Sequence, residues 1–362
     1  MLYYIDESVV LAAKEGDSLV IDRLKDLEYA WRKGQCLVSA SRQSFNSLQE
    51  IIDLEGYHLL AKFAQGVHSL YATLDFFVVL VYEVQQIKVL QQFSNKYKIL
   101  DIRELDDPKK INNNYLVCEN VKDSSFYIYG TSFMMANQIE PTYRLNVIEG
   151  NGGGGTIVEV LDKYKDYPCL AICDSDKKYP LCSIGETLSG VIDYFKATHG
   201  RLLWIYALCV HEIENLIPFE IIQKVRKTKV GKCKINKLKE INDAENGNSY
   251  LRYFDFKKGI SCKLMAKIYK DDHNFYAVCK SALQLTDAFD KDLEKIITLN
   301  TECTKVLMQG FGDDIFKDSL EYMSNNNLNS SDFKLCEYQS EDWNHISNKV
   351  WSLGCAMKPK RV

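Results

Sequence analysis

Three pairs of carboxylates carry the spacing needed for chemistry. Asp174 and Asp176 close the apolar run "PCLAICDSD", Glu119 and Asp123 follow the apolar "YLVC", and Glu212 and Glu214 follow "RLLWIYALCVH". In an extended strand, residues two apart point to the same face, so Asp174 with Asp176 and Glu212 with Glu214 can aim together. Six acids crowded on one edge repel each other unless a cation is present. Hard oxygen donors suit Mg²⁺ or Mn²⁺. Such an ion polarises a phosphate and supplies hydroxide near neutral pH. A lone D-x-D is more often a polar turn, so its meaning depends on the elements that hold the other acids.

Those elements read as strands alternating with helices across residues 111–220. "NNNYLVCENVKDSSFYIYG" is an apolar strand, an acid and a helix start. "TYRLNVIEGNGGGGTIVEVLDKYKD" is a strand, a glycine turn and a helix. "YPCLAICDSDKKYP" and "RLLWIYALCVHEIENLIP" are a third and a fourth strand. This order predicts βαβ units around a parallel sheet, with strands buried on both faces. The strand C-termini then share one edge, where ligands bind in such sheets. The turn at Gly152, Gly153, Gly154 and Gly155 leaves backbone N–H groups accessible to a phosphate. It lacks GK[ST], so it is not a Walker A loop, and a plain flexible connection is the alternative.

Residues 1–110 form an N-terminal α/β segment with strands at "LYYID", "CLVSA" and "YKILDI". Asp6 at the end of the first strand allows a PIN-type nuclease alternative, which needs further acids at strand ends, and Glu83 and Asp101 suit that role poorly. Residues 221–362 read as mostly helical. They open on a basic stretch in which Lys224, Arg226, Lys227, Lys229, Lys232, Lys234, Lys237 and Lys239 meet no acid before Glu240. A solvated helix face and a phosphate-backbone contact are both consistent with it. His211, beside Glu212, is expected to face the core.

The net charge of −4 excludes a general polyanion binder, so nucleic-acid contact requires a local basic face. Twelve cysteines are dispersed through 362 residues, several inside apolar runs where they read as small buried hydrophobes. Cys169, Cys173 and Cys182 lack the second ligand pair of a zinc site. The opening "MLYYIDESVV" carries acids where a signal peptide needs apolar residues. The apolar segment 69–84 is too short to span a bilayer. A cytoplasmic protein without a membrane segment is expected.

Taken together, Glu119-x₃-Asp123, the glycine turn, Asp174-x-Asp176 and "HEIENLIP" resemble the Toprim fold of topoisomerases, primases and OLD-family nucleases. In that family a Glu follows the first strand and a D-x-D the third. "EIENLIP" is similar to an element of the OLD-like proteins. Glu119 is followed by Asn where many members have Gly. The resemblance covers about 110 residues and implies a Toprim-like parallel-sheet core that binds Mg²⁺. In the OLD-like nucleases a downstream lysine completes the site. "YFDFKKGIS" offers Lys257 or Lys258, and Lys258 is taken here.

The resemblance implies a metal-dependent endonuclease that cuts DNA or RNA. Glu119, Asp174 and Lys258 would be catalytic, and Glu119, Asp123, Asp174, Asp176, Glu212 and Glu214 would hold the metal. No tyrosine matches a topoisomerase nucleophile, and no primase zinc motif is present. The absence of a Walker A motif implies either a stand-alone nuclease or one controlled by a separate ATPase or sensor partner, as for the stand-alone Toprim effectors of bacterial antiphage systems of the PARIS type. An oligomer or complex subunit is expected. A D-x-D phosphatase and a non-catalytic interaction protein on the same scaffold are the alternatives.

Overall fold

Strand β1 (Leu2–Ile5) is apolar and becomes an inner strand of a four-stranded sheet. In the computed structural model, residues 1–52, 57, 60, 70, 73–83, 96–136, 140, 142–151, 156–198, 201–244, 247–299, 303, 305–326, 328 and 332–359 are described. After β1 come helices α1 (Glu7–Lys14) and α2 (Ser18–Arg32), β2 (Leu37–Ala40), α3 (Arg42–Ile51), β3 (Phe77–Val81) and β4 (Tyr97–Asp101). The sheet order is β2-β1-β3-β4, with parallel pairing throughout. All five residues of β3 are buried, as a strand covered on both faces requires. Side-chain caps set the helix starts. Asp6 accepts from the Ser8 N–H at 2.9 Å, Asp17 from the Leu19 N–H at 3.0 Å, and Ser41 from the Ser44 N–H at 3.0 Å.

A second four-stranded sheet follows. Its region holds α4 (Lys109–Asn112), β5 (Tyr115–Cys118), α5 (Val121–Met135), β6 (Tyr143–Leu145), β7 (Ile148–Asn151), α6 (Ile157–Lys163), β8 (Cys169–Cys173), α7 (Glu186–Thr198) and β9 (Leu203–Ala207). The order is β7-β5-β8-β9, and β5 runs parallel to both β7 and β8. The segment expected as one strand around Tyr143–Asn151 is therefore two. β6 leaves the sheet and pairs antiparallel with Cys355–Met357. Both sheets wind alike: the chain starts inside, moves one place outward, then crosses to the other side. Ligands favour the carboxyl ends at such a reversal, here between β1 and β3 and between β5 and β8.

The expectation of an α/β protein with a parallel-sheet core and a largely helical C-terminal region holds. The chain-order segments 1–110, 111–220 and 221–362 do not coincide with the compact units. One unit comprises Met1–Ile172, Val191–Tyr206 and His345–Val362, and the other Cys173–Gly190 and Ala207–Asn344. The physical reason is local. Residues just past β8 bond to residues just past β9, with the Leu208 N–H on the Cys173 carbonyl at 3.0 Å and the Asp176 N–H on the His211 carbonyl at 2.9 Å.

The second unit contains α8 (Phe219–Val225), α9 (Lys229–Asp243), α10 (Gly247–Leu251), α11 (Cys262–Asp271), α12 (His273–Ala282), α13 (Asp287–Leu299), α14 (Ile315–Asn325) and the start of α15 (Glu337–Gly354). β10 (Gly259–Ser261) and β11 (Val306–Gln309) form an antiparallel ribbon. Phe219, Phe254 and Phe256 are buried together, with Phe254 and Phe256 edge to face at 5.4 Å.

Among the described residues no helix is long and apolar enough to cross a membrane. All twelve cysteines are unbridged. Cys118, Cys169 and Cys173 are buried as expected, and burial holds the Cys169 thiol far above its usual range. Cys209 departs from the expectation and is exposed, because the chain has left β9 two residues earlier.

Candidate functional site

β8 ends at Cys173, so Asp174 and Asp176 lie beyond the strand and not on one of its faces. Their placement comes from tertiary bonds. The buried Ser175 hydroxyl donates to the Val210 carbonyl at 2.6 Å, and the Asp176 N–H to His211 as above. Asp176 is left-handed, with φ +55°, a conformation Asp tolerates better than most residues. Its carboxylate packs against Gly185, where any Cβ would overlap it. The Gly185 N–H donates to the Ser175 carbonyl at 3.0 Å and closes the loop.

Glu212 and Glu214 also differ from the strand expectation. β9 stops at Ala207, and Ile213–Leu216 is a 3-10 turn. The buried Asn215 holds this turn: its Oδ1 accepts the Glu212 N–H at 3.1 Å, and its amide donates to Leu251 and Phe254 carbonyls at 2.8 and 2.9 Å. The Gln339 amide donates to the Asn215 and Ile217 carbonyls, both at 2.9 Å, and the Trp343 indole donates to Leu216 at 3.0 Å. An irregular buried backbone is thereby satisfied.

The turn aims both glutamates at Lys257. Its ammonium lies 2.7 Å from Glu212 Oε2 and 3.5 Å from Glu214 Oε1. Burial alone would lower the Lys257 pKa, but Glu214, Glu212 and Asp174 together hold it well above its ordinary value. Lys257 is thus the lysine that meets the acids, and the choice of Lys258 is corrected. Lys258 is exposed, and its N–H is held by Asp255 at 2.6 Å. The adjacent lysines differ in burial, which their sequence alone does not distinguish.

Burial raises Glu214 to about 7, with Lys257 opposing and Glu212 reinforcing the shift. For Glu212, burial pushes upward but its cationic surroundings win, and its carboxyl sits below the usual range. Burial lowers the pKa of His211, which is 2% exposed, while Glu212, Asp255 and Asp176 pull it upward. The His211 Nε2 lies 3.5 Å from Glu212 Oε1. One Glu214 oxygen, Oε2, is buried without a hydrogen bond.

The remaining residues divide. Glu119, half-buried, directly follows β5. Asp123 is the third helical residue of α5 and accepts the Asn120 N–H at 3.0 Å in a capping box, so this acid has a structural role. Gly152–Gly155 lie outside the described residues. In the basic stretch, acids from elsewhere in the fold supply partners. Arg226 pairs with Asp318 at 2.5 Å, Lys239 with Glu220 at 3.2 Å, and Lys234 donates to the Gly310 carbonyl at 2.6 Å. Lys224, Lys227, Lys229 and Lys232 are exposed.

The second unit therefore gathers Asp174, Glu212 and Glu214 around Lys257, with Asp176 near His211. Among the described residues no group of three or more His, Cys, Asp or Glu side chains forms a ready cage for a metal ion. The acid chemistry still suits a hard cation: Glu212 and Glu214 share one ammonium, and Asp174 adds to the negative field on it. At the N-terminal sheet the acids are engaged otherwise. Asp6 caps α1, and Asp101 is gripped by Arg103 at 2.9 and 2.6 Å, which lowers its pKa. Comparison with protein-family models, curated proteins and solved structures finds no match to this chain.

Proposed function

We propose that this chain is a metal-dependent phosphodiester hydrolase acting on nucleic acid, of the Toprim kind that its motifs resemble. The supporting observation is the convergence of Glu212, Glu214 and Asp174 on Lys257, reached directly after the parallel strands β8 and β9. In this reading Asp174, Glu212 and Glu214 are the metal ligands of the second unit. Asp176, Glu119 and Asp123 join them through the sequence pattern alone. Mg²⁺ or Mn²⁺ would polarise the phosphate and supply hydroxide at neutral pH. Lys257 counters negative charge, on the carboxylates at rest and on the phosphate during reaction. The antiphage role and the separate ATPase partner rest on the resemblance.

The test is cleavage of labelled DNA and RNA by the full chain with Mg²⁺ or Mn²⁺ against chelator, alone and with a candidate ATPase. Asp174→Ala should lower the rate by about 10²-fold or more. Full activity in that variant overturns the assignment. Hydrolysis of p-nitrophenyl phosphate without nucleic-acid cleavage would point to a phosphatase. The lysine already seated among the acids favours one further reading, a permanent structural ion cluster in a non-catalytic interaction protein. Calorimetric titration with Mn²⁺ separates the two: binding lost in Asp174→Ala supports a metal site, and no binding in the wild type supports the structural cluster.

A further inference from the structure

The residues beyond Asp176 form a loop built to project one apolar side chain. The Gly185 N–H to Ser175 bond closes its base. Tyr179, 3% exposed, anchors it from within, and its hydroxyl donates to Asp271 Oδ2 at 2.7 Å. The Cys182 N–H donates to the Tyr179 carbonyl at 3.0 Å, closing the turn Tyr179-Pro180-Leu181-Cys182. Proline at the second position suits such a turn. Leu181, at the third, is 73% exposed, more than any other large hydrophobic side chain among the described residues. An anchored, proline-stiffened turn holding a leucine in water forgoes about 25 cal/mol per Å² of its apolar area. Lys177 and the exposed Lys178 precede it.

The anchor leads to a second feature. Asp271 ends α11, whose Lys263, Lys267 and Lys270 are all exposed at spacings of four and three. That spacing places them on one helix face. The Lys267 ammonium lies 5.9 Å from the centre of the Tyr179 ring, so this face adjoins the loop. An exposed leucine beside a lysine-lined helix face complements a polyanion with an apolar interior, which describes stacked nucleic acid. An apolar wedge beside cations is a device used on stacked bases.

We infer that α11 and the loop form the track for a base-paired nucleic acid: the α11 lysines take its phosphate backbone, and Leu181 enters between neighbouring bases and opens their stack. The inference rests on the nuclease reading and deepens it, since Asp174 and Asp176 lie at the root of this loop.

The full chain tests it in chelator with a labelled DNA duplex and an RNA hairpin, each carrying 2-aminopurine. The triple variant K263E/K267E/K270E should bind about 10- to 100-fold more weakly at moderate salt and flatten the salt dependence by roughly two to three ions. Leu181→Ala should keep its melting temperature but lose the rise in 2-aminopurine emission, with Leu181→Met restoring it. With Mg²⁺, Leu181→Ala should slow duplex cleavage relative to a single strand of the same sequence. Unchanged salt dependence in the lysine variant, or unchanged emission in Leu181→Ala, overturns the track while leaving the nuclease reading intact. Unchanged emission together with loss of a protein partner in Leu181→Ala would assign the turn to protein docking. Wild-type protein that neither binds nor cuts any of these probes overturns the nuclease reading itself.

Discussion

Asp176 holds a left-handed backbone and lays its carboxylate on Gly185. A methyl group at Gly185 has no room while that carboxylate is present. Gly185→Ala should lower stability by about 1–3 kcal/mol. The double variant Gly185→Ala with Asp176→Ala should recover much of the loss, and urea unfolding of the four proteins measures the coupling. Strict additivity would show that the two residues do not clash. Glu214 gives a second prediction at this scale. Folded Glu214 keeps its proton up to about pH 7, while an unfolded glutamate releases it near 4.5. Between those values the folded state binds more protons, so this group's contribution to stability falls as pH rises. In chelator, the wild type should lose on the order of 3 kcal/mol relative to Glu214→Gln between pH 4 and 8. A difference independent of pH would refute the raised value.

At the scale of elements, the capping box of α5 separates two roles for one acid. Asp123→Ala should cost about 1 kcal/mol, seen as a lower melting temperature in chelator as well as in Mg²⁺. A loss confined to Mg²⁺ would instead mark Asp123 as a ligand only. The strands were the legible part of this chain. The run Cys169–Cys173 is apolar enough to announce a strand buried on both faces, whereas Phe77–Val81 lies in an apolar segment that suits a buried helix as well as a strand. The acids themselves were legible by type, but their geometry was not. Strand alternation was expected to aim Glu212 and Glu214, whereas a 3-10 turn does so, held by Asn215 and by Gln339 from 124 residues away. Lys257 and Lys258 look equivalent in sequence, and only the fold brings Glu212 and Glu214 to the first. The missing acids opposite the basic stretch were likewise supplied by Asp318, 92 residues beyond Arg226. The α11 lysines drew no reading from sequence, and the Tyr179–Asp271 bond is what ties their helix to the loop.

For the whole molecule, two sheets of the same winding raise the question of which one carries chemistry. Asp6 and Asp101 at the first sheet are engaged by a helix cap and by Arg103, while the acids beyond the second converge on a single lysine. The paired change Asp6→Asn with Asp101→Asn should therefore destabilise the fold by roughly 1–3 kcal/mol and leave nucleic-acid cleavage near the wild-type rate at temperatures below melting. Loss of cleavage in a folded protein would move the active site to the first sheet and revive the PIN-type alternative.

The contact between Trp31 and the end of the chain has a consequence in time. The Trp31 indole donates to the Met357 sulfur at 3.2 Å and is 1% exposed, so this part of the cover over α2 arrives only with residues 355–357. At roughly 5–20 residues per second, synthesis of the intervening 326 residues takes on the order of 15 s to a minute. The first sheet's strands all emerge early, yet Trp31 lacks its Met357 partner for that whole interval. A nascent chain of this protein should thus present a defined chaperone target, one that vanishes when the strand Cys355–Met357 clears the ribosome.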